Sequence, residues 1–233
     1  MDIEANVQGK KVDIYYLHGP DQTTPIEETL GAINELYTQG LFKRFGISNM
    51  TVEQTEAIYN HCKEKGYVLP TVFQGNYNPV SRHIEADLFP CLRRLGIAFY
   101  VYSAIAGGFL AKTVEQIKAG GEGRWDPTSF IGGMYHKLYN RPKVLEGLKE
   151  WEAIAKDAGI PPAELAYRYM AYHSFLREDL GDAIIVGATK PEQLVQTVEG
   201  LNKGPLPTDI AERVNKVWDV VKDEAPVNNI EGF

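Results

Sequence analysis

Residues 12–21 give the clearest indication of architecture in this sequence: Val12-Asp13-Ile14-Tyr15-Tyr16-Leu17-His18-Gly19-Pro20-Asp21. Aromatic and β-branched residues are frequent in the first six positions, which is typical of a buried β-strand. The strand ends at His18, and the Gly-Pro pair after it indicates a turn. Similar segments recur downstream, each followed by a helical pattern, as in a parallel β/α barrel.

Five strands are predicted on this pattern, and the first four begin at residues 11, 42, 71 and 98, which is the spacing of a β/α unit. They are Lys11–His18, Phe42–Ser48, Thr71–Tyr77, Ala98–Ala104 and Ala183–Ala188. Helices are predicted between and after them, from Pro25 towards Tyr37, from Thr51 to Lys65, and over His83–Leu95, Lys143–Ala158, Pro162–Phe175, Pro191–Leu201 and Thr208–Val221.

Local signals mark where several of these helices begin and end. Thr51 followed by Gln54 predicts a capping box, and Gly66 is suited to ending that helix. Glycines are concentrated in residues 105–140, which predicts a long functional loop there. The tail from Pro226 is expected to be a loop.

The predicted fold class is α/β, of the (β/α)8 TIM-barrel type, in a single domain over residues 1–233. A parallel strand needs neighbours on both edges, yet no strand is predicted before Lys11. A closed barrel takes eight strands, whereas five are predicted. We therefore expect an N-terminally truncated barrel, unless another element covers the exposed strand edges.

Composition and charge exclude several classes of function. The net charge of −7 argues against nucleic-acid binding, which needs a basic face. No apolar run approaches the ~18 residues that span a membrane, and Met1–Lys11 lacks the features of a signal or transit peptide. Cys62 and Cys91 lie in helical patterns without metal-ligand or redox spacing, so no metal site is predicted. A soluble cytoplasmic protein is expected.

Polar side chains recur where the predicted strands end, which is where the reactive residues of β/α barrels cluster. They are His18, Ser48 and Asn49, Gln74, Tyr102 and Ser103, and Thr189 and Lys190. The last of these strand ends runs directly into a helix N-terminus, and such N-termini favour phosphate groups. The convergence of these side chains predicts a functional site at this end of the sheet.

At these positions the sequence resembles the aldo-keto reductase family, most closely its aflatoxin-aldehyde reductase branch. The matching segments are Tyr16–Asp21, Phe45–Asn49, Leu69–Asn78, Leu88–Arg93, Ala106–Gly108 and Glu192–Leu194. The resemblance covers nearly the whole chain in the same order. It implies a (β/α)8 barrel, NADPH as cofactor, and reduction of aldehydes or ketones to alcohols.

The resemblance also implies a catalytic arrangement. In the family a tyrosine protonates the carbonyl oxygen, a lysine and an aspartate tune that tyrosine, and a histidine orients the carbonyl. His18 matches the histidine and is the expected catalytic and substrate-binding residue. The aspartate, tyrosine and lysine belong to family strands that precede the strand matched by residues 11–18.

The cofactor residues are better matched. The resemblance assigns the nicotinamide carboxamide to Ser48 and Asn49, assisted by Gln74, and places the Tyr102 ring against the nicotinamide. Further matched residues are Ser103, Gly107 and Gly108 in the pyrophosphate loop 103–113, Arg124 as a cofactor contact, Tyr135 as a substrate contact, and Thr189, Lys190, Gln193 and Thr197 around the 2′-phosphate and adenine. Two departures are Ser103-Ala104-Ile105 in place of Asn-Pro-Leu, and Thr197 in place of an asparagine.

Each of these residues also has a plainer interpretation when it is taken alone. His18, Gln74 and the Ser48-Asn49 pair fit structural hydrogen bonding at strand ends, and Tyr102 fits core packing. Arg124 and Lys190 fit solvated charges, and Gly107-Gly108 fits a simple turn. The joint order of the motifs favours the cofactor assignment over these readings.

Two functions follow from the resemblance. The first is NADPH-dependent reduction of a small-molecule carbonyl substrate, by an enzyme that includes an N-terminal part with the remaining catalytic residues. The alternative is a redox-inactive family relative that binds nucleotide or catalyses a non-redox reaction. Neither nucleic acid nor membrane is expected as a partner, and a homodimer is left open.

Overall fold

The computed structural model describes residues 11–121 and 123–228. Within them the β-strands are β1 (Val12–Leu17), β2 (Phe42–Ser48), β3 (Pro70–Asn76), β4 (Ala98–Tyr102) and β5 (Ala183–Ile184). They follow one another in the sheet in the order of the sequence. β1 pairs in parallel with β2, and β2 with β3, which places Tyr16 beside Gly46 and Ser48 beside Gln74. The α/β class with a five-stranded parallel sheet is confirmed, and a closed eight-stranded barrel stays a prediction.

The α-helices of the described residues are α1 (Ile26–Thr38), α2 (Val52–Lys65), α3 (Leu88–Leu95), α4 (Val114–Ala119), α5 (Phe130–Tyr139), α6 (Pro142–Ala158), α7 (Pro162–Tyr172), α8 (Pro191–Leu201) and α9 (Thr208–Val221). The capping box of α2 is confirmed, because Thr51 Oγ1 accepts the Gln54 N–H at 3.2 Å and Gln54 Oε1 accepts the Thr51 N–H at 2.9 Å. Gly66 ends α2 at φ +68°, as predicted. No helix in the described ranges combines the length and apolar character that crossing a bilayer requires.

The single helix predicted over His83–Leu95 is wrong in its bounds. A 3-10 turn covers His83–Glu85, and α3 begins only at Leu88. The Asp87 carboxylate accepts the Leu88 N–H at 2.6 Å and so caps the helix there. A capping side chain at this position favours a fresh helix start over continuation from the preceding turn.

Four other predicted elements are shorter in the structure. β1 (Val12–Leu17) and β4 (Ala98–Tyr102) each have two residues fewer than predicted. β5 ends at Ile184, although Ile185 N–H still donates to the Val101 carbonyl at 2.9 Å. α7 ends at Tyr172 because Ser174 Oγ donates to the Met170 carbonyl at 2.6 Å, the acceptor that the next helical N–H would use. The C-terminal tail has no regular structure over 226–228, and residues 229–233 lie outside the described ranges.

The long loop predicted over residues 105–140 is wrong, because α4, α5 and two 3-10 segments, Ala106–Ala111 and Gly123–Trp125, occupy most of it. At Gly132, in the first turn of α5, a Cβ atom would lie 1.8 Å from the Asp126 carbonyl oxygen. Glycine therefore permits a close backbone approach here, and composition alone does not distinguish this from a flexible loop.

The described chain divides into two compact units that alternate along the sequence. The first unit comprises the residues up to Gly75 with Ala86–Tyr100 and Asp179–Asp182, and the second comprises Asn76–Glu85, Val101–Glu178 and the chain from Ala183 onwards. Each unit is therefore built from three separate stretches of the chain, and no single linker divides them.

The core of the first unit lies between its strands and helices α1 to α3. Phe73 and Phe99 stack with ring centroids 5.9 Å apart, and Phe89 of α3 lies 4.9 Å from Phe99. All three rings are buried. Other buried side chains here are Leu30, Ile33, Phe45, Ile47, Ile58, Cys62, Val72 and Leu92. Burying one large apolar side chain stabilises the folded state by about 1.5 to 3 kcal/mol relative to leaving that side chain exposed.

The core of the second unit is built around helices α6 and α9, which pack along each other. Trp151 of α6 is fully buried, and its indole N–H donates to the Leu110 carbonyl at 2.9 Å. Val214, Val217 and Val221 form the buried stripe of α9. At Gly147 of α6 a Cβ atom would lie 2.2 Å from Val221 Cγ1, so the two helices approach closely at this glycine.

This close approach predicts the effect of substituting Gly147. Gly147→Ala collides with the β-branched Val221, and such overpacking costs about 1 to 3 kcal/mol. Chemical denaturation should show a loss of stability that becomes smaller in the Val221→Ala background. Gly31→Ala in α1 is the control, because nothing lies within 4 Å of its Cβ position and helix propensity alone favours alanine by about 1 kcal/mol. Equal effects of the two alanines would contradict this packing.

Candidate functional site

The first group of predicted residues lies in the first unit, where neighbouring parallel strands end. His18 directly follows β1, Ser48 is the last residue of β2, Asn49 follows it, and Gln74 lies near the end of β3. The carboxyl ends of parallel strands share one edge of the sheet, and ligands of open α/β sheets bind at that edge. The structure therefore brings these four predicted residues together.

Hydrogen bonds connect the members of this group. Ser48 is buried, and its hydroxyl donates to the Gln74 carbonyl at 2.8 Å. Asn49 Nδ2 donates to the His18 carbonyl at 2.8 Å. Asn49 has φ +57°, a left-handed conformation that asparagine tolerates better than most residues. His18 itself is exposed.

Tyr16 adds a residue that sequence analysis did not assign to this group. Its ring lies against Gly46 of β2, where a Cβ atom would be 2.4 Å from Tyr16 Cδ1 and Cε1. Burial raises the pKa of the Tyr16 phenol, and a hydrogen bond with the Gln74 side chain opposes this. Gly46, an isolated glycine within a predicted strand, was the available sign of this close approach.

Charged groups lie on the same strands. Arg44 of β2 donates from Nη2 to Asp13 Oδ2 at 2.5 Å and from Nη1 to the Tyr100 hydroxyl at 3.2 Å. The Arg44 hydrogen bond, followed by that of Lys43, lowers the pKa of Asp13. Arg44 therefore links β1 to β4 through polar contacts.

The second group lies in the second unit and begins at the end of β4. Tyr102 is half-buried, and its carbonyl accepts the Tyr77 N–H at 3.4 Å. Ser103 has φ +57°, and its carbonyl accepts the Ala106 N–H at 2.7 Å. Gly107 and Gly108 follow with φ +64° and +96°. The chain thus makes a tight turn at the segment expected to surround the pyrophosphate.

An aromatic cluster packs on this turn. Trp125 Nε1 donates to the Gly107 carbonyl at 3.0 Å. Tyr135 of α5 is only 5% exposed, so at most an edge of its ring is available to a substrate. The Arg124 guanidinium carbon lies 5.7 Å from the Tyr135 ring centroid. The structure thus brings together Gly107, Arg124 and Tyr135, and it adds Trp125, which sequence analysis did not assign.

The third group is the start of α8, also in the second unit. Gln193 Oε1 accepts the Thr189 N–H at 2.9 Å, the Thr189 hydroxyl at 3.1 Å and the Lys190 N–H at 3.3 Å. The Thr197 hydroxyl donates to the Gln193 carbonyl at 2.8 Å. Gln193 therefore caps the helix. Thr189, Lys190 and Gln193 are exposed, Thr197 is half-buried, and the four residues lie together.

Tyr139 of α5 was also missed by sequence analysis. It is fully buried, and its hydroxyl has no hydrogen-bond partner in the described structure. Burial raises its pKa well above the usual value for tyrosine. Its ring stacks on Phe109 with centroids 5.1 Å apart, which adds to the aromatic cluster under the turn.

These groups offer chemistry suited to a nucleotide. Serine, asparagine and glutamine provide the donors and acceptors that a carboxamide requires. Arg124 and Lys190 have no carboxylate partner among the described residues, which suits them to phosphate. No cluster of three or more histidine, cysteine or acidic side chains is placed to hold a metal in the ranges 11–121 and 123–228.

Comparison with known proteins agrees with these features. Residues 3–219 match the model of the Aldo/keto reductase family. Oxidoreductase sirO of Leptosphaeria maculans is 41% identical over 221 residues, which cover 95% of this chain and 67% of that protein. Human aldo-keto reductase family 7 member A3 is 37% identical over 94% of this chain and 68% of its own length.

Aflatoxin B1 aldehyde reductase member 2 of Rattus norvegicus is 37% identical over 94% of this chain and 62% of its own length. The chain thus spans about two thirds of the length of these relatives. The resemblance identified from the strand-end motifs is confirmed. This chain is a member of the aldo/keto reductase family, with aflatoxin B1 aldehyde reductases among its relatives.

Proposed function

We propose that this protein reduces aldehydes or ketones to alcohols with NADPH. The observation that carries the proposal is the hydrogen-bonded group of His18, Ser48, Asn49 and Gln74 at the ends of adjacent strands. Membership of the aldo/keto reductase family supports oxidoreductase chemistry at this group. NADPH, when bound, would supply a hydride for the carbonyl carbon.

The residues of the first unit are proposed to hold the nicotinamide end. The side chains of Asn49 and Gln74 would bind the carboxamide, with Ser48 beside them. Ser48 already holds the Gln74 backbone at 2.8 Å, which fixes the position of that strand end before any ligand binds. Preorganised polar groups of this kind reduce the ordering cost of binding. Tyr102 of the second unit is proposed to pack against the nicotinamide ring.

The residues of the second unit are proposed to hold the phosphates. The turn at Ser103, Gly107 and Gly108 would surround the pyrophosphate, with Arg124 as a further cationic contact. The start of α8, an eleven-residue helix, would meet the 2′-phosphate. Lys190 adds a point charge there, and Gln193 and Thr197 are proposed to contact the phosphate or the adenine.

His18 is proposed to orient the carbonyl oxygen of the substrate. Its backbone is held by Asn49 Nδ2, while its side chain stays exposed for this contact. Tyr135 is proposed as a substrate contact at the edge of its ring. Following the family, we propose that the proton donor is a tyrosine tuned by a lysine and an aspartate, carried by strands that precede β1 in the working enzyme.

A cytoplasmic location and a small-molecule carbonyl substrate are also proposed. Cys62 and Cys91 are buried free thiols, which supports a reducing compartment. An NADP(H) titration combined with an activity survey on small aldehydes tests the proposal. Saturable binding with consumption of NADPH is expected. Binding without turnover of any carbonyl compound would favour the redox-inactive alternative.

NADPH is expected to bind at least about tenfold more tightly than NADH. A charge-assisted phosphate contact is worth roughly 1.5 to 3 kcal/mol, and Lys190 at the start of α8 provides one. Lys190→Ala should weaken NADPH binding and leave NADH binding unchanged in a fluorescence titration. Lys222→Ala is the matched control, because Lys222 pairs with Asp219 on α9. Equal dissociation constants for the two cofactors in the unmodified chain would contradict the phosphate assignment.

A further inference from the structure

The turn at Gly107 is held from outside by a residue that lies eighteen positions away. Trp125 Nε1 donates to the Gly107 carbonyl at 3.0 Å, and the indole is only 3% exposed. The Trp125 backbone is itself anchored, because its carbonyl accepts the Gly121 N–H at 3.0 Å and lies 3.1 Å from His136 Nε2. The indole donor is therefore fixed in place before a ligand arrives.

Tyr135 limits the same peptide from another direction. A Cβ atom on Gly107 would lie 2.1 Å from Tyr135 Cε1 and 2.5 Å from its Cζ, well inside van der Waals contact. Only a glycine can approach the ring so closely, and only a glycine adopts φ +64° without steric cost. The Tyr135 ring thus packs directly against Gly107 and restricts the position of the turn.

We propose that Trp125 and Tyr135 are positioning residues that hold the Gly107 peptide in its left-handed turn and thereby set the backbone geometry of the phosphate-binding segment 103–113. The expected effect on NADPH binding rests on the proposed function. The positioning of Gly107 does not depend on any ligand. Neither residue needs to touch the cofactor. Their effect passes through the backbone of Gly107.

The surrounding packing makes this arrangement rigid. Trp125 stacks on Phe109, which belongs to the same segment, with ring centroids 5.9 Å apart. Tyr135 lies 5.5 Å from Trp125 and stacks on Tyr139 at 6.0 Å. Phe109 and Tyr139 are fully buried. An aromatic cluster that supports a turn in this way lowers the number of conformations the turn must lose on binding.

Amide hydrogen exchange of the ligand-free chain tests the positioning directly. Trp125→Phe keeps an aromatic ring, although a smaller one, and removes the N–H donor. Loss of one such hydrogen bond corresponds to about a 2- to 12-fold change in the equilibrium between the closed and open forms of the segment. Exchange in peptides covering residues 103–113 should accelerate by this factor. Trp218→Phe is the matched control, because Trp218 packs on Arg82 and His83 and not on the turn. Equal exchange of the segment in both variants would overturn the proposal.

NADPH titration tests the consequence for binding. If the unmodified chain fails to bind NADPH, the proposed function fails while the exchange result still decides the positioning. If it binds, Trp125→Phe should raise the dissociation constant about 2- to 12-fold, and an unchanged constant would overturn the proposal. Gly107→Ala should weaken NADPH binding. The loss should be smaller in the Tyr135→Ala background, because the new Cβ atom then has no Tyr135 ring to collide with. Equal losses of NADPH affinity in the two backgrounds would show that Tyr135 does not restrict the turn.

Discussion

Joining an N-terminal segment that carries the family's aspartate, tyrosine and lysine to the 233-residue chain is expected to raise its carbonyl reduction rate by about 10²- to 10⁴-fold. General acid catalysis supplies a factor of that size, because a positioned donor neutralises the charge that develops on the carbonyl oxygen. Steady-state turnover of a small aldehyde with NADPH measures it. A segment with its tyrosine replaced by phenylalanine is the matched control and should restore little of the rate.

We expect His18 to account for any residual turnover of the 233-residue chain itself. It is exposed and directly follows β1, at the strand end where the substrate carbonyl is proposed to bind. His18→Ala should abolish the residual rate. Full family rates from the 233-residue chain, unchanged by His18→Ala, would contradict this account and direct attention to Tyr16, Tyr77 and Tyr102 as donors.

Arg168→Ala is expected to destabilise the second unit by about 3 to 5 kcal/mol, the range for breaking a buried ion pair from one side. Arg168 is buried on α7 and donates to the Gly204 carbonyl at 2.8 Å, the Pro205 carbonyl at 2.8 Å and Glu164 Oε1 at 3.1 Å. Its removal leaves a buried carboxylate and two carbonyls without this donor. Denaturant unfolding followed by tryptophan fluorescence measures the loss.

Lys203→Ala provides an internal control on the same carboxylate. Lys203 Nζ lies 2.8 Å from Glu164 Oε2, but its side chain is 57% exposed. Solvent-exposed ion pairs contribute about 0 to 1 kcal/mol, so this variant should stay close to the unmodified chain. Similar losses for the two substitutions would show that the buried network around Arg168 does not stabilise the connection between α8 and α9.

Periodicity and local capping predicted much of the fold. The strand before His18, which ends at Leu17 in the structure, and the helix between Thr51 and Gly66 are confirmed because their signals depend on neighbouring residues alone. The loop predicted over residues 105–140 was wrong because glycine enrichment has two physical causes. Glycines are frequent in flexible segments, and they are also frequent where the backbone must lie close to another group, as at Gly132. Sequence composition does not separate the two.

The candidate site was predicted through its strand-end residues, which motif order makes recognisable. Trp125 and Tyr16 were missed because their roles depend on contacts distant in sequence. Trp125 reaches the Gly107 carbonyl across eighteen residues, and Tyr16 packs on Gly46 of the neighbouring strand. The glycines at the contacted positions, the isolated Gly46 and Gly107 of the Gly107-Gly108 pair, were the available indications. Neither glycine identifies the side chain that contacts it.

Transfer of deuterium from the nicotinamide C4 position tests the central claim most directly. The 233-residue chain is incubated with a small aldehyde and NADPH that carries deuterium at both C4 positions. The product alcohol is analysed by mass spectrometry, which detects even slow turnover. The account predicts an alcohol with one deuterium on the former carbonyl carbon. Unlabelled or absent alcohol, with NADPH bound, would contradict carbonyl reduction and leave a nucleotide-binding relative of the reductases.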